Sequence, residues 1–199
     1  GGATGIGRMA AEALVRAGAT VLIASRKGEA CEVVAAELNE LGASGKAIGF
    51  AGDVGTEAGV DALVASVKEH TMTLDILMNN AGITWGAPLG DFPFKAWSKV
   101  MDVNVAGMFD LTQKLLPMLR ASGTVDDPAR VINVGSVMGE REMGDGAYSY
   151  SMSKAAVHHM TRILGKELAG EAITVNALAP GPFVSRMTAF ATHNEEMRS

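Results

Sequence analysis

The stretch GGATGIGRMAAEALVRAGATVLIASRK, residues 1–27, decides the fold. It opens on a glycine cluster, passes through an amphipathic segment at residues 9–17, and ends on ATVLIAS at residues 19–25, an apolar run rich in branched side chains. Helical periodicity followed by a continuous apolar run reads as a helix leading into a strand buried on both faces. A glycine-rich turn ahead of such a helix lets the backbone come close to a phosphate. Free N–H groups and the helix dipole then favour the anion. The spacing is G-x-x-x-G-x-G on Gly1, Gly5 and Gly7, with Thr4 and Ile6 inside the same turn.

The pattern repeats outward along the chain. GKAIGFAGDV (45–54), LDILMNNAG (74–82), ARVINVGS (129–136) and AITVNALAPG (172–181) read as further buried strands. Amphipathic stretches at residues 29–41, 58–69, 94–119 and 151–168 lie between them. Strand and helix in alternation predict parallel strands joined by right-handed crossovers, a doubly wound α/β fold with helices on both faces of the sheet. The 199 residues, 48% of them hydrophobic, suit one such domain. Ligands in this class bind outside the carboxyl ends of the strands. The candidate functional residues are therefore the tips at residues 1–7, Ser25–Arg26, Asp53–Val54, Asn79–Gly82, Gly135–Ser136 and Pro180–Gly181.

A net charge of −5 with scattered basic residues argues against a nucleic-acid surface. Cys31 is the only cysteine, so no internal disulfide or cysteine metal cage is expected; its spacing with Val34, Leu38 and Leu41 puts it on a helix's apolar face. No apolar run approaches the roughly 20 residues of a membrane span, and no signal sequence opens the chain, so a cytoplasmic protein is expected. His158 and His159 adjoin on a predicted helix, where neighbours point about 100° apart; structural or interface roles suit them better than metal binding.

The tip after the second run distinguishes two nucleotides. A carboxylate there grips a ribose 2′-hydroxyl, whereas an arginine neutralises a 2′-phosphate. The sequence is IASRK: Ser25 takes the acidic position and Arg26 and Lys27 follow. A guanidinium fork matches a phosphate, so NADP(H) is the expected cofactor.

The chemistry is expected in GSVMGEREMGDGAYSYSMSKAAV, residues 135–157. Tyr150 and Lys154 are four apart and share a helix face, with Ser136 fourteen residues upstream of the tyrosine. A free phenol titrates at about 10, and a neighbouring cation lowers that value toward the working range. Ser136, at a strand tip, can hold a carbonyl or hydroxyl against Tyr150. No side chain supplies a hydride, so a nicotinamide must. Tyr148 has Met152 at the i+4 position and is expected only to pack or bond locally.

Taken together, GGATGIG, GDV, NNAG, MDVNVAG, VINVGS, YSMSK and ALAPG resemble the short-chain dehydrogenase/reductase family across essentially the whole chain. The resemblance implies a catalytic tetrad of Asn104, Ser136, Tyr150 and Lys154. Tyr150 would act as the general acid in reduction, Lys154 would also bind the nicotinamide ribose, and Asn104 would hold a relay water. It further implies Asp53 at the adenine amino group and Val54 beside the ring, with Asn79, Asn80, Ala81 and Gly82 supporting the sheet and the adenosine ribose. Pro180 and Gly181 would cover the nicotinamide, and Ser185 would meet its carboxamide. The family pattern has one more strand before Gly1 and a further helix and strand after Ser199. It also implies packing against partner subunits, commonly as a tetramer.

Within the family, ASRKGEACE, TWGAPL, LRASGTVDDPARVINVGS and KELAGEAITVNALAPGPFVSRMT look most like the 3-oxoacyl-(acyl-carrier-protein) reductases, in the branch that includes the rhamnolipid-biosynthesis β-ketoacyl reductase. The expected activity is NADPH-dependent reduction of a ketone, a 3-oxoacyl thioester or related carbonyl. An NAD(P)-dependent alcohol or sugar dehydrogenase is the alternative, and a non-catalytic dinucleotide-binding regulator a third reading.

Overall fold

The computed structural model describes residues 1–142 and 146–181. The chain forms two compact units, one built on Gly1–Gly52 and the other on Asp53–Pro180.

The first unit runs α1 (Gly5–Arg16), β1 (Thr20–Ser25), α2 (Gly28–Asn39), β2 (Lys46–Ala51). Thr4 is extended, so α1 begins at Gly5 and takes Ile6 and Gly7 into its first turn, earlier than the periodicity from Met9 indicates. The helix stops at Gly18, whose φ of +94° is a left-handed conformation that only glycine adopts cheaply. There Gly18 N–H bonds Val15 C=O and Ala19 N–H bonds Leu14 C=O, the paired closure of a Schellman motif, and the chain is released as β1. β1 and β2 pair in parallel from Thr20 opposite Lys46 to Ser25 opposite Ala51. Asn39, the last residue of α2, clasps Ala47: its Nδ2 donates to Ala47 O (3.0 Å) and its Oδ1 accepts Ala47 N–H (2.8 Å). Ala11, Val15, Ile23, Cys31, Val34 and Leu38 form the core of this unit. A fully buried Val or Leu contributes about 1.5–3 kcal/mol. Cys31 is a core residue as its spacing predicts, but Leu41, past the helix end, is exposed.

The second unit runs α3 (Glu57–His70), β3 (Ile76–Asn79), α4 (Lys95–Met101), a π-helical turn (Asp102–Ala106), α5 (Gly107–Ser122), β4 (Ala129–Val134), a 3-10 turn (Val137–Gly139), α6 (Tyr148–Leu168) and β5 (Ile173–Leu178). Thr56 caps α3 by accepting Gly59 N–H at 3.1 Å. The single amphipathic stretch at residues 94–119 is thus two α-helices joined by a π turn. The strands are parallel in the order β3-β4-β5.

The strands are parallel with helices on both sides, as the alternation of apolar runs and helical periodicity predicts. Ile173 and Val175 of β5 are buried while Thr174 and Asn176 are exposed; in β4, Ala129 and Val131 are buried and Arg130 exposed. Side chains alternate across a strand, and α5 and α6 cover the buried set. The five strands among the described residues lie where the apolar runs predict them.

Candidate active site

Parallel pairing in register brings the strand ends of the second unit to one edge. Asn79 pairs with Asn133 and Val134 with Leu178, so the tips after β3, β4 and β5 emerge side by side. A buried polar ladder fixes that edge. Asn79 Nδ2 donates to Asn133 Oδ1 (2.9 Å) and Thr112 Oγ1 (3.0 Å), and Asn133 Nδ2 donates to Thr161 Oγ1 (2.9 Å). The two threonines donate back to Met108 and Val157 carbonyls, both at 2.8 Å. Each member of this chain of bonds thus has a partner, which is what a dry interior requires.

Lys154 projects from α6 into this edge. It is 4% exposed, and Nζ donates to Val134 O at 2.6 Å while lying 5.5 Å from the centre of the Tyr150 ring. Burial pushes its pKa down to about 8. An ammonium has three donors, so the bond to Val134 leaves two for a ligand. Gly82 keeps space beside it: a Cβ there would come within 3.5 Å of Nζ and 3.4 Å of Asn104 Oδ1.

Asn104, 1% exposed, sits in the π turn, where the shift of helical phase re-aims its side chain. Oδ1 accepts Ile83 N–H (2.9 Å), and Nδ2 donates to Ile83 O (3.0 Å) and Ser153 Oγ (2.9 Å). Ser153 in turn donates to Tyr150 O at 2.7 Å. Both amide donors of Asn104 are therefore used, and a relay water would be left an Oδ1 lone pair or the backbone carbonyl. Ser153 is a residue that sequence reasoning missed; nothing in YSMSK distinguishes it from Ser151.

Ser136 is extended at the tip of β4 and caps the 3-10 turn, its Oγ accepting Met138 N–H at 3.2 Å. The hydroxyl hydrogen remains available for donation. Pro180 reaches the same turn, its carbonyl accepting Val137 N–H at 3.0 Å, and exposed Gly181 follows it. Asp53 closes its own loop by accepting Gly55 N–H at 2.9 Å, and the Val54 carbonyl lies against Gly107 at the start of α5. Asn80 and Ala81 continue from β3 toward Gly82. Tyr148 packs edge-on to Phe92, with ring centres 5.4 Å apart, in keeping with a local packing role.

In the first unit, Gly2 N–H bonds Ala24 O (3.3 Å), which lays the glycine turn along the end of β1. The first turn of α1 has no side-chain cap and no acidic residue, and Gly5 takes a φ of +54°. Uncapped N–H groups on a left-handed glycine turn make a cradle suited to an anion. Ser25 Oγ accepts Lys27 N–H (3.2 Å) and Cys31 Sγ–H (3.2 Å), shaping the turn that carries exposed Arg26. Ser185 lies outside the described residues.

Comparison with known proteins places the chain in a family. The family model described as short chain dehydrogenase matches residues 1–196. The rhamnolipids biosynthesis 3-oxoacyl-(acyl-carrier-protein) reductase of Pseudomonas aeruginosa is 49% identical over 94% of this chain and 72% of its own length. A 2-dehydro-3-deoxy-L-rhamnonate dehydrogenase (NAD(+)) of a Sphingomonas strain is 33% identical over 93% of this chain and 70% of its own. Among solved structures, the Pseudomonas aeruginosa RhlG/NADP active-site complex superposes with a TM-score of 0.92 at 47% identity, covering 98% of this chain and 75% of the other. The likeness covers the fold, which is Rossmann-type. The chain belongs to the short-chain dehydrogenase family.

Proposed function

We propose that the protein is an NADPH-dependent reductase that converts the ketone of a 3-oxoacyl thioester to a secondary alcohol. The observation that carries the reading is the buried Lys154 ammonium 5.5 Å from the Tyr150 ring. The 49% identity to a relative named as a 3-oxoacyl-(acyl-carrier-protein) reductase supports the substrate class. The likeness to a structure titled as an NADP complex supports the cofactor, and so does exposed Arg26 at the tip of β1, where a 2′-phosphate would be met. We further propose one NAD(P)-binding domain over residues 1–199, a cytoplasmic setting, and a homo-tetramer or dimer; exposed Phe109, Met152 and Ile163 on α5 and α6 suit a subunit contact.

The cofactor's pyrophosphate would be held by Gly1, Thr4, Gly5, Ile6 and Gly7, and its 2′-phosphate by Ser25 and Arg26. The adenine end would be met by Asp53, Val54, Asn80, Ala81 and Gly82, and the nicotinamide end by Tyr150, Lys154, Pro180, Gly181 and Ser185. When bound, the nicotinamide supplies a hydride to the carbonyl carbon. Ser136 O–H donates to the carbonyl oxygen and orients it. Tyr150 O–H gives its proton to that oxygen as negative charge develops there. The Lys154 cation stabilises the resulting phenolate, and its two remaining donors suit ribose hydroxyls. Asn104, through Ile83 and Ser153, holds the backbone that carries Tyr150, and a water on its free acceptor would return a proton to the phenolate.

Turnover of acetoacetyl-CoA, followed at the NADPH absorbance, tests the reading. Tyr150→Phe is expected to lose at least about a thousandfold in kcat with NADPH binding retained. Unchanged turnover in that variant would refute the mechanism. The second relative, named as an NAD(+) dehydrogenase of a sugar acid, favours the alternative of an NAD(P)-dependent dehydrogenase. Faster oxidation of sugar acids with NAD than reduction of thioesters with NADPH decides for that alternative.

A further inference from the structure

His158 lies one turn beyond Lys154 on α6 and is 6% exposed, yet no step above uses it. Its ring packs on the end of β4, so closely that a Cβ on Gly135 would run into the imidazole. Nε2 accepts the Ser136 backbone N–H at 3.3 Å. Only a ring with a lone pair on Nε2 can do so, which selects the neutral tautomer with its proton on Nδ1. Nδ1 faces Glu140 Oε1 at 3.3 Å, near enough for attraction but not aligned as a hydrogen bond.

We propose that His158 is a positioning residue for the catalytic serine: its neutral imidazole fixes the Ser136 backbone, and protonation of the ring releases the serine and slows the reaction toward acid pH. This rests on the role assigned to Ser136 above. An imidazolium carries N–H on both nitrogens, so at Nε2 it would meet Ser136 N–H donor to donor. The charged groups around the ring are Glu140, from the loop after the 3-10 turn, and Lys154 and Arg162 on α6 itself. The β5 side contributes Asn176 and Ala177, neither of which titrates. Burial is the largest influence and holds the ring's pKa below 6.5; Glu140 pulls it up, and Arg162 and Lys154 push it down. The ring also lines a cavity of about 270 Å³ with Glu140 and Arg162.

His158→Gln places an uncharged acceptor near the position of Nε2, whereas His158→Leu supplies none. Both are compared with the wild type and Ser136→Ala on the full chain, measuring kcat, KM and NADPH binding across the pH range with acetoacetyl-CoA. The leucine variant is expected to lose about tenfold or more in kcat with NADPH affinity unchanged. The glutamine variant should recover most of that loss and lack the acid limb of the wild-type profile. Equal losses in the two variants, or an unmoved acid limb in the glutamine variant, overturn the proposal. If the leucine variant does not fold, the glutamine and wild-type profiles decide alone. Full turnover by Ser136→Ala would overturn the reading of the site itself; an inactive Ser136→Ala beside an unmoved limb overturns only the role of His158.

Discussion

Replacing Lys154 with Met separates the cost of burying an ammonium from its use. The side chain is 4% exposed and its pKa in the folded protein is pushed down by burial to about 8, against 10.5 for the unfolded chain. Between these two values the unfolded state binds more protons than the folded one, so stability rises with pH across that window. Below about pH 8 both states are protonated and the desolvation cost is felt in full. From about pH 7 to about pH 10, the titration of this one group adds about 2.5 kcal/mol to wild-type stability. Methionine does not titrate and fills a similar volume, so the Lys154→Met variant lacks that increment. At neutral pH it escapes the cost of the buried charge but leaves the Val134 carbonyl without its partner, a penalty of about 1–3 kcal/mol. The expected result is a variant within about 2 kcal/mol of the wild type at pH 7 and without turnover. Its disadvantage should grow by about 2.5 kcal/mol toward pH 10. Urea unfolding at a series of pH values reads this directly as the difference in ΔG. Parallel stability profiles for the two proteins would refute the reasoning, because they would mean that Lys154 titrates alike in both states.

Arg26→Glu should reverse the cofactor preference: kcat/KM with NADPH falls about a hundredfold while the value with NADH is kept or improved, since a carboxylate repels a 2′-phosphate and a guanidinium pairs with it. An unchanged NADPH to NADH ratio sinks the role given to Arg26. Asn79→Ala removes the donors that Asn133 and Thr112 face at 2.9 and 3.0 Å. It should cost about 2–3 kcal/mol in denaturant unfolding, because buried acceptors are left unpaired. A loss under about 0.5 kcal/mol would mean that water replaces the ladder.

Much of the fold is legible in the sequence because the signals are local. The alternation of apolar runs with helical periodicity depends only on residues a few positions apart, and it locates all five strands. The Tyr150–Lys154 pair is equally local, since i and i+4 share a helix face wherever the helix packs. The glycine turn shows the same limit from the other side: its composition marks a cradle, but an extended Thr4 sets the helix start at Gly5 rather than past Gly7. Which residues of β4 and β5 lie beneath α5 and α6 could not be read at all, because apolar composition does not say which side a given helix will occupy.

By itself, the sequence determined the α/β alternation, the strand tips that carry polar residues, and the identities of Ser136, Tyr150 and Lys154. Only the tertiary structure decided what surrounds them. The pairing of Asn79 with Asn133 joins residues 54 positions apart and depends on strand order and register. The depressed pKa of Lys154 depends on burial beneath the end of β4. His158, in the sequence one of two adjoining helical histidines, matters because Gly135 lets its ring reach the Ser136 backbone. Periodicity is written in near neighbours, whereas desolvation and long-range hydrogen bonds are properties of the packed chain, and the chemistry of this site depends on both.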